Sequence, residues 1–292
     1  MRFEAITEHR ALLGEGPVWD ERRQRLFFVD IEGLEVISVA VDGSDVLRYA
    51  MPDKPCSLGL ADSGRLVIAL TKRVVLFEPV SGAMVDVAEL ELDVPTTRLN
   101  DGKVGPDGAF WVGSIDQGKP RQPNAALWRV DPSGAVEKKV DGCTGSNGLA
   151  WDAAGTTMFH SDSSGACIDR WAFDPATGAI SDRTRIREKI TDAAGRPDGA
   201  ATDVEGGYWS AGVSAGLLNR YDRDGQLLLS IPVPVAAPSM PCFGGPELKT
   251  LYLTSISHGQ SAEKMAAYPA TGQLVAAESP VAGVPVARFR DV

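Results

Sequence analysis

Cysteine is sparse in this chain and nothing organises it. Cys56, Cys143, Cys167 and Cys242 form no C-x-x-C pair and match no zinc spacing, so buried free thiols are expected rather than a disulfide framework. Histidine is scarcer: His9, His160 and His258 fall in no Ser-His-Asp arrangement, and His160, in an alternating strand pattern, reads as structural. Basic charge is also short, with 29 Lys and Arg against 39 Asp and Glu and a net charge of -10. Phosphate backbones need a basic face, so nucleic acid is excluded as a partner. The acidic balance suits a metal or substrate site and equally a plain solvated surface. No apolar run approaches the ~18 residues of a membrane span. The start, Met1-Arg2-Phe3-Glu4-Ala5, carries no apolar signal region, and a soluble, cytoplasmic protein without membrane partners is expected. Helical periodicity is poor throughout, and the best charged candidate, Arg183 to Lys189, is short.

What the chain does have is turn chemistry and repetition. Its 31 glycines and 19 prolines are spread along 292 residues, as many short strands joined by tight turns require. A strand-turn-strand unit recurs six times, starting near Gly16, Leu58, Asn100, Asn147, Asp198 and Pro241. The spacing of roughly 40 to 50 residues is that of propeller blades. Most copies add a third apolar stretch ending in a turn such as Asp131-Pro132-Ser133-Gly134 or Asp174-Pro175-Ala176-Thr177-Gly178. There Asp bonds its own backbone, Pro sets φ, and Gly accepts a positive φ. Several copies continue into a fourth strand, as at Ala179-Ile180-Ser181. The pattern predicts an all-β, six-bladed β-propeller with four antiparallel strands per blade, residues 1–292 forming one domain. Lys119 to Asn124 reads as a loop over one face of the disc.

The first strand of each propeller blade lines the central channel, so equivalent positions form a ring around the axis. Glu15, Asn100, Asn147 and Asp198 hold nearly the same position in the first, third, fourth and fifth units. The matching places in the second and sixth read as Leu58 and approximately Cys242. An Asn or Asp opening one strand is explained by an Asx-turn to its own backbone. Four oxygen-bearing side chains in register converge on the axis, a costly cluster unless a cation neutralises it. The set contains no thiolate and no His, which favours a hard cation such as Ca²⁺, Mg²⁺ or Mn²⁺, with Zn²⁺ and Fe²⁺ also able to accept carboxylates. Arg98, two residues before Asn100, would alternate to the same face and hold a substrate oxygen.

Five segments carry a family resemblance: Leu13-Gly14-Glu15-Gly16-Pro17, Arg98-Leu99-Asn100-Asp101-Gly102-Lys103, Ser146-Asn147-Gly148-Leu149, Pro197-Asp198-Gly199 and Cys242 to Tyr252. Together they resemble the SMP-30/gluconolactonase/regucalcin family, nearest in look to bacterial sugar lactonases such as xylonolactonases, particularly from Pro241 to Pro269. The resemblance implies one divalent cation in the channel, held at Glu15, Asn147 and Asp198. It also implies substrate contacts at Arg98 and Asn100. The family's animal members carry a Glu after the third unit's second strand, where this chain has Ile115-Asp116-Gln117, so Asp116 is the candidate replacement.

The expectation is therefore a metal-dependent sugar lactonase that opens an aldonolactone of glucono-, xylono-, galactono- or arabinono- type, with a small sugar lactone as its partner. Asp198 is the expected general base as well as a ligand. Two other readings stay open: a promiscuous esterase or organophosphate hydrolase, and a calcium-binding regulatory protein. Neither the sugar, the physiological metal nor the oligomeric state follows from the residues.

Overall fold

Runs of Val, Ile, Phe and Trp bounded by Asp-x-x-Gly turns become strands throughout this chain. The turn at Asp152–Gly155 shows the mechanism. Asp152 Oδ1 accepts the N–H groups of Thr156 at 2.9 Å and Thr157 at 3.0 Å, and Gly155 takes φ +67°. The computed structural model describes Met1 to Val292, and its strands form six antiparallel sheets arranged as a six-bladed β-propeller.

The innermost strands are Gly14–Asp20, Ser57–Ala61, Thr97–Val104, Ser146–Trp151, Pro197–Thr202 and Pro238–Gly244. Apart from Lys103, which is half-buried, every one of their residues is buried. The outermost strands, such as Leu47–Ala50 and Ala179–Arg187, are largely exposed. Six apolar clusters make up the core, each between two neighbouring blades. Trp209 packs on Phe243 in one and Trp111 on Trp151 in another, so blades adhere face to face rather than around one central core.

Closure uses both ends of the chain. Glu4–Ala5 pairs with Val275–Glu278 and supplies the outer strand of the sixth blade. Tying the first residues to the last blade closes the disc. From the other end, Arg288–Phe289 adds a parallel strand to Ser57–Ala61 of the second blade. Arg288 also ion-pairs with Asp20 at 2.7 Å, so this tail fastens the first two blades to the last.

Two local expectations need correction. Arg183 to Lys189 is not helical: most of it lies in the exposed strand Ala179–Arg187, where Arg183 and Arg185 both pair with Asp169 of the adjacent strand. A six-residue helix at Ala262–Ala267, capped by Ser261, departs from the expected all-strand pattern. So short a helix has too few turns to show a period. No helix is long and apolar enough to cross a membrane.

Candidate active site

Each innermost strand pairs with its neighbour in a way that marks the ring. The register shifts between Glu15 and Val18, Leu99 and Gly102, Asn147 and Ala150, Pro197 and Ala200, and Pro238 and Pro241. Only the second blade pairs without a shift. A bulge re-aims a side chain that regular alternation would bury between blades. Glu15, Asn100, Asn147 and Asp198 sit at or beside these bulges. The same pairings correct the two remaining positions. Ser57, opposite Ala69, and Ser239, next to Pro238 opposite Ser255, are the equivalents of Glu15, in place of Leu58 and Cys242. Cys242 lies three residues further along its strand, and all four cysteines are free and buried.

Strand-end carboxylates hold the chain as it enters this ring. Asp30 accepts the N–H groups of Leu12 at 2.8 Å and Leu13 at 2.9 Å, just before Glu15. Asp162 does the same for Thr144 at 2.8 Å and Gly145 at 3.1 Å, just before Asn147. Fixed backbone entry gives the ligand positions little freedom, which is what a preorganised site needs.

The amides and Arg98 form a chain of hydrogen bonds across three blades. Arg98 Nη1 donates to Asn100 Oδ1 at 2.7 Å and to Leu99 O at 2.8 Å. Asn100 Nδ2 donates to Ser146 O at 2.9 Å and Asn147 Oδ1 at 3.2 Å. Asn147 Nδ2 donates to Ser163 Oγ at 2.7 Å, and Ser163 Oγ donates to Pro197 O, immediately before Asp198. Arg98 Nε is buried without a partner.

Three carboxylates, Glu15, Asp101 and Asp198, are buried at 7%, 4% and 8% exposure, and none forms an ion pair within 4.0 Å. Glu15 accepts one hydrogen bond, from its own Gly16 N–H at 3.0 Å. Asp198 accepts none. Burial, then the charges of Asp198 and Asp101, raise the Glu15 pKa well above the usual carboxylate value. Burial and then Asp101 raise that of Asp198, opposed by the charges of Arg196, Arg98 and Arg121. Asp101 is itself raised by burial, opposed by Lys103 and by backbone N–H groups. Its Oδ1 has no partner.

Such a cluster is costly as it stands, because neighbouring like charges in a dry setting each disfavour the other's ionised form. Its composition fits a hard dication: two electrostatically coupled carboxylates with uncommitted oxygens, and an amide oxygen that retains a free lone pair. No three His, Cys, Asp or Glu side chains form a metal-binding group by themselves, so a donor set here has to draw on the Asn147 amide.

Asp116 does not join the ring. It is fully buried at the end of the third blade's second strand, and its Oδ2 accepts the Gln122 N–H. A hydrogen bond from Thr96, followed by that from Gln122, holds its pKa below the ordinary value. It ties down the loop that carries Arg121. His160, expected to be structural, is buried with Nε2 2.8 Å from Ser146 Oγ. The other end of the inner strands holds a cavity of about 260 Å³, lined by Lys103, Trp151, Thr202 and Phe243 and crossed by Val284 to Ala287. It contains none of the ring residues.

Comparison with known proteins follows the geometry. Residues 13–257 match the SMP-30/Gluconolactonase/LRE-like region. The chain is 34% identical to a 6-deoxy-6-sulfogluconolactonase of Pseudomonas putida, over 96% of both proteins. It is 31% identical to an L-arabinolactonase of Azospirillum brasilense, over 97% of this chain and 94% of the relative. The crystal structure of a calcium-binding protein, regucalcin, from Agrobacterium tumefaciens superposes with a TM-score of 0.92 at 26% identity, covering 98% of this chain and 96% of the other.

Proposed function

The chain belongs to the SMP-30/gluconolactonase/LRE-like family, and from that premise we propose that it is a divalent-metal-dependent sugar lactonase hydrolysing an aldonolactone to the open aldonic acid. The observation that carries this reading is the buried, unpaired Asp198 carboxylate beside Glu15, reached across three blades by the Arg98–Asn100–Asn147 hydrogen-bond chain. Glu15, Asn147 and Asp198 would hold the cation. When bound, it supplies Lewis acidity toward the ester carbonyl.

The remaining work falls to the chain's own groups. No protein donor holds Asp198, so its carboxylate takes the proton of a water adding to the lactone carbonyl and can return it to the departing ring oxygen. Arg98 Nε, buried without a partner, is a donor for a carbonyl or hydroxyl oxygen of the sugar. Asn100 has both amide hydrogens engaged, so its contact with substrate runs through the second lone pair of Oδ1. Glu15 is the fixed anchor, with the chain at Leu12 and Leu13 just before it pinned by the Asp30 carboxylate. Asp116 meets substrate only through the loop it holds.

Proton release from glucono-, xylono-, galactono- and arabinonolactone, with and without chelator, tests the proposal. Hydrolysis of at least one lactone that stops on chelation and returns with added cation is expected. Full activity in the chelated protein would remove the metal, and no hydrolysis of any lactone would remove the reaction.

A further inference from the structure

The ring holds one more carboxylate than the proposed donor set uses. Asp101 follows Asn100 on the third blade's inner strand, and the two side chains grip the next blade on either side of its bulge. Asn100 Nδ2 takes Ser146 O at 2.9 Å, one residue before Asn147. Asp101 Oδ2 accepts the Leu149 N–H at 3.2 Å, two residues after it, with the Gly148 N–H also turned toward the carboxylate. From the opposite side, Tyr208 of the fifth blade donates its hydroxyl to Gly148 O at 2.8 Å.

The residue inside this clamp cannot be exchanged for a larger one. Gly148 has φ +61°, and a Cβ there would collide with Tyr208 Oη and Ser161 Oγ. The Gly148–Leu149 peptide is therefore held from both neighbouring blades, its C=O by Tyr208 and its N–H by Asp101, and the Asn147 side chain just before it has its direction set by groups outside its own strand. Ordinary strand pairing does not do this, because the ladder is broken between Asn147 and Ala150.

We propose that Asp101 is a positioning residue that acts through Asn147, its carboxylate holding the bulge that aims the Asn147 amide oxygen at the cation. The inference rests on the reading of Asn147 as a ligand. Asp101 does not touch the lactone and is not itself the base.

Mn²⁺ binding by the full-length, metal-stripped protein, followed by electron paramagnetic resonance, separates the outcomes. Asp101→Asn removes the charge but keeps an acceptor for Leu149, whereas Asp101→Ala removes both. The Kd of Asp101→Ala is expected to exceed that of Asp101→Asn at least fivefold in the native background. In an Asn147→Ala background the same difference should shrink to within twofold, since the bulge then has no ligand to aim. Tyr208→Phe, which releases the other side of the clamp, should weaken Mn²⁺ two- to fivefold, again only when Asn147 is present. A merely structural role would lower the unfolding midpoint without this dependence on Asn147. An Ala-to-Asn difference that persists without Asn147, or is missing with it, overturns the inference. If Asn147→Ala alone leaves the Mn²⁺ Kd unchanged, the ligand reading fails and this one falls with it.

Discussion

Both ends of the inner strands bury carboxylates, and the two ends treat them in opposite ways. At the end where the strands finish, Asp107 accepts from Trp111 Nε1 at 3.1 Å and Arg129 Nε at 2.6 Å. Asp203 accepts from Trp209 Nε1 and Arg220 Nε, both at 2.7 Å. Asp20 is paired with Arg23 and Arg288. Burial pushes the Asp20 pKa up, but the hydrogen bonds from these two arginines outweigh it and the net direction is down. At the end where the strands begin, Glu15, Asp101 and Asp198 are buried to a similar degree without an ion pair, and all three are raised. Burial is thus common to both ends, and the presence of a partner is what differs. Paired carboxylates tie strands together within their own blade, with Asp20 also holding the tail, whereas unpaired ones are held ready for something the chain does not itself contain.

The sharpest way to break this contrast is Asp198→Asn. An amide can ligate but cannot take a proton, so kcat should fall about 10²–10⁴-fold even with Mn²⁺ saturating. Near-native kcat under saturation would make Asp198 a ligand only. On stability the two ends should then respond in opposite directions. Asp203→Asn takes the buried charge away from Arg220 and Trp209, leaving Arg220 only the exposed Glu205, and should cost about 1.5–3 kcal/mol in urea unfolding, with Mn²⁺ affinity unchanged. Asp198→Asn in metal-stripped protein at neutral pH should instead raise the unfolding midpoint, because it removes the cost of keeping protonated, in the fold, a carboxyl group that ionises freely in the unfolded chain. Equal losses at both sites would erase the distinction.

Arg98→Ala should be milder. Loss of one charged hydrogen bond costs about 1.5–3 kcal/mol in kcat/KM, with the metal still bound. Lost metal at unchanged kcat/KM under saturating cation would give Arg98 a different job.

The smallest effect is read against pH. Glu15 and Asp198 have folded-state pKa values raised above their unfolded values, so the native protein without metal binds more protons than the unfolded chain. Their contribution to stability is complete below the unfolded carboxylate range and is lost as pH rises through the raised values. Cation binding needs the ionised forms, so Mn²⁺ affinity should climb about tenfold per pH unit where one proton is displaced. Calorimetry in two buffers of different ionisation enthalpy would count the protons. A pH-independent Kd across the neutral range would contradict the raised values.

Much of this molecule was legible beforehand because it is repetitive. Strand-turn-strand units at blade spacing and Asp-x-x-Gly turns are local signals, and their sixfold recurrence made the propeller visible without tertiary information. The same recurrence picked out Glu15, Asn100, Asn147 and Asp198. Where recurrence gave out, so did accuracy. Ser57 and Ser239 were misplaced as Leu58 and Cys242, since a one- to three-residue register error leaves no trace in an apolar run. The fourth blade's outer strand looked weakly helical because its solvent-exposed residues carry charges in no strict alternation.

Local sequence, then, determined the strands, the turns and which oxygen-bearing side chains open each blade, since these depend on residues a few positions apart. The clamp that Asn100, Asp101 and Tyr208 place on Asn147, the shielding that leaves Asp198 without a donor, and the tail that binds Asp20 were decided only in three dimensions. Each joins residues tens to hundreds of positions apart, and nothing in a strand's own pattern says which neighbour will supply its hydrogen bonds. A carboxylate's charge state follows from that neighbour, and so does whether it becomes a fastener or a site.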